Sequence, residues 1–171
     1  ADIAFLLKET HRMEKRENND YWGFNGTFRW GYDYGPFRLD VVDNLHFSEK
    51  GLAGPIGALA KKARFSEMRN LITWKGEYVS PKGLLINMEP FYSYKLGELY
   101  DPKGEVGTGR QDTHDSFQNI GTQMRVEYPL GAHHLPSLMG RYSKEMFSPQ
   151  DDLSGTNVPG SRRIRTSLGL Q

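Results

Sequence analysis

Charged side chains recur at every second position in several segments of this 171-residue chain. Side chains of a β-strand point alternately to opposite faces, so residues two apart share one face. Arginine suits the binding of carboxylates and phosphates, because its planar guanidinium can donate two parallel hydrogen bonds to one anion. The spacing selects twelve binding candidates: Arg29, Arg38, Arg69, Lys75, Glu77, Glu89, Lys95, Arg125, Glu127, Arg141, Arg163 and Arg165.

Basic residues outnumber acidic ones among the charges that share this face. With Asp33, Asp40 and Glu145 included, nine bases stand against six acids, although the whole chain has a formal net charge of only +1. An uncompensated positive surface attracts anions. The pattern therefore predicts small anionic solutes as partners, and the near-neutral total argues against a nucleic-acid partner.

Residues for metal or nucleophile chemistry are poorly placed in the sequence. His114 lies between Asp112 and Asp115, and His133 is adjacent to His134, but neither arrangement has the spacing of a zinc enzyme. The chain has no cysteine, and no serine lies in a GxSxG context. We therefore predict no metal, no cofactor and no enzymatic activity, with a Ser-His-Asp hydrolase left open as an alternative.

The elements that would position these residues are β-strands. Alternation in Tyr21–Tyr34 and in residues 37–47, on either side of Gly35-Pro36, predicts a hairpin. The same period recurs in residues 69–79, 84–96, 123–130, 135–147 and 163–170, and residues 3–7 count as a first strand. Residues 57–68 are the one helical candidate, and polar loops are expected at 101–115 and 148–161. The sequence thus predicts a single all-β, antiparallel domain over residues 1–171, with about eight strands.

Aromatic residues dominate the face opposite the charges, often near strand ends. They are Trp22, Phe24, Phe28, Trp30, Tyr32, Tyr34, Trp74, Tyr78, Tyr92, Tyr94 and Tyr128. Aromatic girdles with an apolar band between them are typical of the lipid-facing side of transmembrane β-barrels. Strands of about 10 residues also suit a bilayer crossing. These residues are therefore predicted to face lipid.

The run YWGFNGTFRWGYDYGPFRLDVVDNLHF and the closing RRIRTSLGLQ resemble bacterial outer-membrane β-barrels of the porin type. The resemblance implies a transmembrane β-barrel in the bacterial outer membrane that contacts the lipid bilayer, or detergent after extraction. It also implies passive diffusion of small anionic solutes past an arginine-rich interior. We expect an eight-stranded barrel or part of a larger one; such barrels usually end in an aromatic residue, and the end of this chain at Gln171 favours the larger barrel. An oligomer is also open.

Two other interpretations fit the same alternation. The interior of an eight-stranded barrel is just wide enough for side chains, so the charges could pair and plug it, leaving a structural or anchoring barrel. Alternatively, a soluble lipocalin-like barrel or β-sandwich could use the aromatic face as a core or as a ligand cavity.

Overall fold

The fold is all-β. The structure, a computed structural model, describes residues 2–4, 18–54, 60–107, 109–131, 134–153 and 159–170. Its strands are β1 (Asp2–Ala4), β2 (Tyr21–Tyr34), β3 (Phe37–Gly51), β4 (Arg64–Val79), β5 (Leu85–Asp101), β6 (Gln111–Glu127), β7 (Ser137–Asp151) and β8 (Ser161–Leu170).

The eight strands form one sheet in which each strand pairs antiparallel with its neighbour in sequence. Apart from the short β1, the strands have 10 to 17 residues, well above the usual length of about 5 to 6 in globular proteins. Within the described residues no pairing joins β8 to β1, so the sheet is open at these two strands. The all-β, antiparallel prediction is confirmed, whereas closure into a barrel is not shown.

The connections differ between the two ends of the sheet. At one end, which we call the turn end, β2 passes to β3 through Gly35 and Pro36 alone. Gly35 has a φ of 55°, the positive value that a two-residue type II′ hairpin needs at its first central position. The other connections at the turn end cover residues 80–84 and 128–136. The opposite end, the loop end, carries the connections over residues 52–63, 102–110 and 152–160.

The structure corrects the sequence predictions at the loop end. The helix predicted for residues 57–68 is wrong where the structure describes it, because β4 already begins at Arg64 and pairs with β3 and β5; residues 57–59 lie outside the described part. The polar loop predicted up to Asp115 ends earlier, since β6 begins at Gln111. The strand predicted at residues 3–7 is described only as Asp2–Ala4. Strands therefore extend further into charged sequence than their apolar periodicity indicated.

Almost no apolar side chain is enclosed by the sheet. Among the described residues, the buried hydrophobic ones are Ala60 and Ala63 alone. Large apolar side chains lie exposed instead, including Trp22 at 56% and Tyr34 at 70% exposure. No helix in the described part of the chain is both long and apolar enough to cross a membrane. The apolar surface of this sheet has no second protein layer over it in the described chain.

Candidate functional site

The strand register separates two faces. Directly paired residues of neighbouring strands project from the same face of a sheet. We call the charged face the one formed by odd-numbered residues of β2, even-numbered residues of β3 and odd-numbered residues of β4 to β8. The remaining residues of these strands form the aromatic face. No slip interrupts this assignment from β2 to β8.

All twelve predicted binding residues lie on the charged face. Ten of the eleven predicted aromatic residues lie on the aromatic face, and Tyr128 directly follows the end of β6. The register also brings predicted residues into direct pairs, such as Arg38 with Glu77 and Arg69 with Lys95. The charged residues are therefore neighbours on one continuous surface.

Five further charged residues of this face escaped the sequence analysis, and all lie towards the loop end. They lie beyond the row formed by direct pairing of His46, Arg69, Lys95, Phe117 and Phe147. These five, which we call the rim, are Lys50, Glu67, Asp101, Asp115 and Asp151. The rest of the charged face, from that row to the turn end, is the body.

The charge of the face is polarised between body and rim. The body contains the nine bases and six acids expected from the sequence, an excess of three positive charges. The rim contains four acids and one base, an excess of three negative charges. The prediction of a basic excess over the whole face is therefore wrong, since the complete face has equal numbers of both signs.

Glu67 connects the rim to the body. Its carboxylate lies 2.5 Å from Nε of Arg69 and 3.1 Å from Nζ of Lys95. The Glu67 side chain is 11% exposed, whereas its two partners are 59% and 45% exposed. One rim acid thus neutralises part of the charge of two body cations, and the lysine ammonium keeps donors for another acceptor, because it has three.

Other ion pairs hold part of the body charge. Arg38 lies 2.9 Å from Asp40, Arg165 lies 3.3 Å from Glu145, and Arg125 pairs with Glu127. Four body cations have no ion pair within the described chain: Arg29, Lys75, Arg141 and Arg163. Their charges are free to act on a solute.

Cavities open on the charged face. One of about 630 Å³ is lined by the unpaired Lys75 and Arg141 together with Arg125 and Glu89, whose carboxylate accepts a 2.6 Å hydrogen bond from Gln123. This volume falls in the range of small-molecule sites, about 300 to 1,000 Å³. The charged lining thus has three cations, Lys75, Arg125 and Arg141, and one anion, Glu89. The cavity suits a small anion.

Two more cavities meet at the boundary of body and rim. One, of about 590 Å³, includes His46, Arg69 and Lys95, and a 2.6 Å hydrogen bond joins His46 Nδ1 to Asn25 Oδ1. The other, of about 430 Å³, shares Lys95 and Phe117 with it and adds further rings. Sequence analysis missed the apolar part because it assigned only polar chemistry to this face.

The aromatic face carries clustered rings near both ends. At the turn end the rings of Trp30, Tyr32 and Tyr34 stack along β2, with successive centroids 6.1 Å and 6.4 Å apart. At the loop end, Trp22 meets Phe47 edge-on at 5.1 Å. Phe28 and Tyr92, by contrast, pair directly with Asp43 and Ile120 near the middle of the sheet, so the predicted aromatic residues are not confined to two bands at its ends.

The aromatic face also has polar interruptions. Asp43 lies near the middle of β3 and accepts a 2.6 Å hydrogen bond from Asn70. Lys144 lies near the middle of β7, between Ile120 and Ile164 in the register. The face is therefore not uniformly apolar.

A histidine cluster lies on the aromatic face at the loop end. His114 is 3.3 Å from Glu98, 3.4 Å from Asp112 and 3.2 Å from Asp152. Donor atoms of Asp112, His114 and Asp152 lie within 4.8 Å of one another, so these three side chains have a donor set that a cation could use. Of the adjacent pair His133 and His134, His133 lies outside the described residues.

A carboxylate joins two connections of the loop end. Glu105 accepts hydrogen bonds of 2.7 Å from the backbone N–H groups of Lys61 and Lys62. These bonds, the one from Lys62 most strongly, hold the pKa of Glu105 below its ordinary value. Asp101 in turn accepts bonds from the backbone N–H groups of Glu105 and Val106, both at 2.8 Å. The ionised carboxylate of Glu105 thus joins the connection over residues 102–110 to the connection over residues 52–63.

Fold and site define an antiparallel all-β protein with one charged and one aromatic face. Comparison with protein-family models, curated proteins and solved structures gives no match. The comparisons therefore identify no enzyme family, and any function must be argued from the two faces themselves.

Proposed function

We propose that this chain forms, or contributes to, an outer-membrane β-barrel that lets small anionic solutes diffuse past its charged face. The observation that carries the proposal is the exposed aromatic face, which has no protein layer over it in the described chain. Ala60 and Ala63 are the only buried hydrophobic residues there, so the sheet has no apolar core of its own. A bilayer would cover such a surface, and strands of this length would span it.

Closure of the barrel is part of this proposal. The strands follow one another in sequence order, and an even number of antiparallel strands leaves the first and last strands antiparallel to each other. β8 is exposed at all ten positions and offers a free backbone edge. Pairing of β8 with β1, or with further strands of a larger barrel, would remove that edge and enclose the charged face.

The selectivity of the channel follows from the body of the charged face. Its excess of three positive charges includes the unpaired Lys75 and Arg141 of the 630 Å³ cavity. Low-dielectric walls focus the field of such charges on an entering solute. Anions would therefore be concentrated in the body, after they have passed the acidic rim.

The test is conductance of the protein refolded in detergent and shown to be folded by a heat-dependent shift in gel mobility. In planar bilayers with a KCl gradient, the reversal potential should indicate chloride preference. The double variant Lys75→Met and Arg141→Met should lower that preference. Lys144→Met removes the same kind of charge from the aromatic face and should leave the preference unchanged.

The outcomes separate the alternatives. Cation preference of the unmodified protein contradicts the proposed selectivity. Absence of conductance from a folded, heat-modifiable barrel selects a plugged structural barrel, whose side chains fill the interior.

A second candidate function is favoured by Asp43 and Lys144, the two charges near the middle of the aromatic face. A lysine at the bilayer midplane costs about 2 to 4 kcal/mol on the lipid face of a barrel. A soluble barrel or sandwich that binds a ligand would avoid this cost. Solubility at high concentration without detergent would select this candidate.

A further inference from the structure

The 430 Å³ cavity at the boundary of body and rim combines an apolar wall with charges of both signs. Phe65, Phe117, Phe147 and Leu99 form the wall, and Lys95 and Asp115 add one cation and one anion. Phe147 is 38% exposed although it lies on the charged face. Aromatic rings in this position leave apolar surface available to a solute.

The two charged groups are neighbours that do not pair. Lys95 pairs directly with Phe117, and Asp115 pairs directly with Gly97, so they are diagonal neighbours across β5 and β6. The Cα atoms of diagonal neighbours are about 7 to 8 Å apart. No ion pair joins them, and within the described chain Asp115 has no ion-pair partner at all. A gap remains that a molecule with two opposite charges can bridge.

We propose that this cavity binds α-amino acids with an apolar side chain, aromatic ones above all. Lys95 donates the ammonium protons that Glu67 does not use to the carboxylate of the amino acid. Asp115 binds the α-ammonium group of the same molecule. The phenylalanine rings pack against the side chain, because aromatic rings in contact attract one another beyond the effect of burial alone.

The chemistry of the cavity excludes simpler ligands. A hydrophobic anion would leave Asp115 close to its carboxylate, and a hydrophobic cation would leave Lys95 close to its ammonium group. A zwitterion satisfies both charges and matches the change of sign between body and rim. The inference rests on the proposed channel only for its meaning in transport, because binding itself needs no conductance.

The experiment measures binding by calorimetry to the full chain, folded in detergent, with three related probes. They are L-phenylalanine, 3-phenylpropionate, which lacks the ammonium group, and phenethylamine, which lacks the carboxylate. Each charge-assisted hydrogen bond contributes about 1.5 to 3 kcal/mol, or about tenfold or more in affinity. L-Phenylalanine should therefore bind at least about tenfold more tightly than either analogue.

Two variants and one control assign the contacts. Lys95→Met and Asp115→Asn should each remove the preference for L-phenylalanine over the matching analogue. Lys144→Met removes a cation of the aromatic face and should leave the three affinities unchanged. All variants are compared only after their heat-dependent gel shift shows folding.

Results that overturn the inference are distinct from failure of the channel. Equal affinity for L-phenylalanine and 3-phenylpropionate, or no saturable binding while chloride conductance is intact, overturns it. An equal loss of affinity in Lys144→Met does the same. Absence of conductance together with the expected binding leaves the inference standing and rejects the proposed channel.

Discussion

Glu67 gives the sharpest test of the proposal that the charged face selects ions. The substitution Glu67→Gln keeps the size of the side chain but removes the negative charge that lies 2.5 Å from Arg69 and 3.1 Å from Lys95. Both cations then act on a solute without their shared partner, and the rim loses one of its acids. The variant should therefore prefer anions more strongly than the unmodified protein.

The magnitude follows from Coulomb's law. One unit charge acting on a monovalent ion at 4 Å contributes about 1 kcal/mol in water, and more where water is partly excluded. About 1 kcal/mol corresponds to about a fivefold change in an equilibrium ratio. The permeability ratio of chloride to potassium should rise by about that factor, as measured from reversal potentials in a KCl gradient.

The control for this substitution lies on the other face. Glu98 is an acid of β5 on the aromatic face, where it accepts a 3.0 Å hydrogen bond from Ser66. Glu98→Gln changes the net charge equally and should leave the permeability ratio unchanged. An unchanged ratio in Glu67→Gln, or equal effects of the two substitutions, would refute the assignment of ion selection to the charged face.

Two further predictions concern stability and pH. A Cβ on Gly121 would lie 2.6 Å from the ring of Phe91, so Gly121→Ala should lower the free energy of unfolding by about 1 to 3 kcal/mol in a urea titration. Gly169→Ala is the control, because nothing lies within 4 Å of a Cβ at that position, and it should change the free energy of unfolding little. Because the pKa of Glu105 is lowered, its bond to the amide of Lys62 should persist above the ordinary carboxyl pKa and be lost as pH falls through the lower folded value. Protection of that amide from hydrogen exchange, taken relative to its intrinsic rate at each pH, should fall at acidic pH, and Glu105→Gln should abolish most of this change in protection; a protection factor that does not vary with pH in the unmodified protein would contradict it.

Alternation in the sequence predicted the two faces because it is a purely local property of strands. In β2, Trp30 and Arg29 face opposite sides whatever partner strand is present. The turn at Gly35 and Pro36 was predictable for the same reason, since a two-residue hairpin depends on the φ of one glycine. The body of the charged face could therefore be assigned without a structure.

The rim could not be predicted because its strands are defined by pairing rather than by periodicity. Residues 61–64 are three basic residues and one alanine, and their sequence indicates a helix as readily as a strand. In the structure Arg64 nevertheless pairs with Gly51 and with Tyr100. Asp115 lies in sequence that is polar throughout, so only its pairing with Gly97 assigns it to a face. Ion pairs such as that of Glu67 with Lys95 join residues from different strands and leave no mark in either segment.

The strictly sequential order of the strands makes the hairpin the unit by which such a sheet could grow during evolution. A hairpin such as β2 with β3 already contributes both a charged and an aromatic strip, joined by two residues at the turn end. Duplication or loss of one hairpin would preserve the alternation of every other strand, because no strand crosses over another. The width of the sheet could thus change in steps of two strands, while the chemistry of each face is inherited intact.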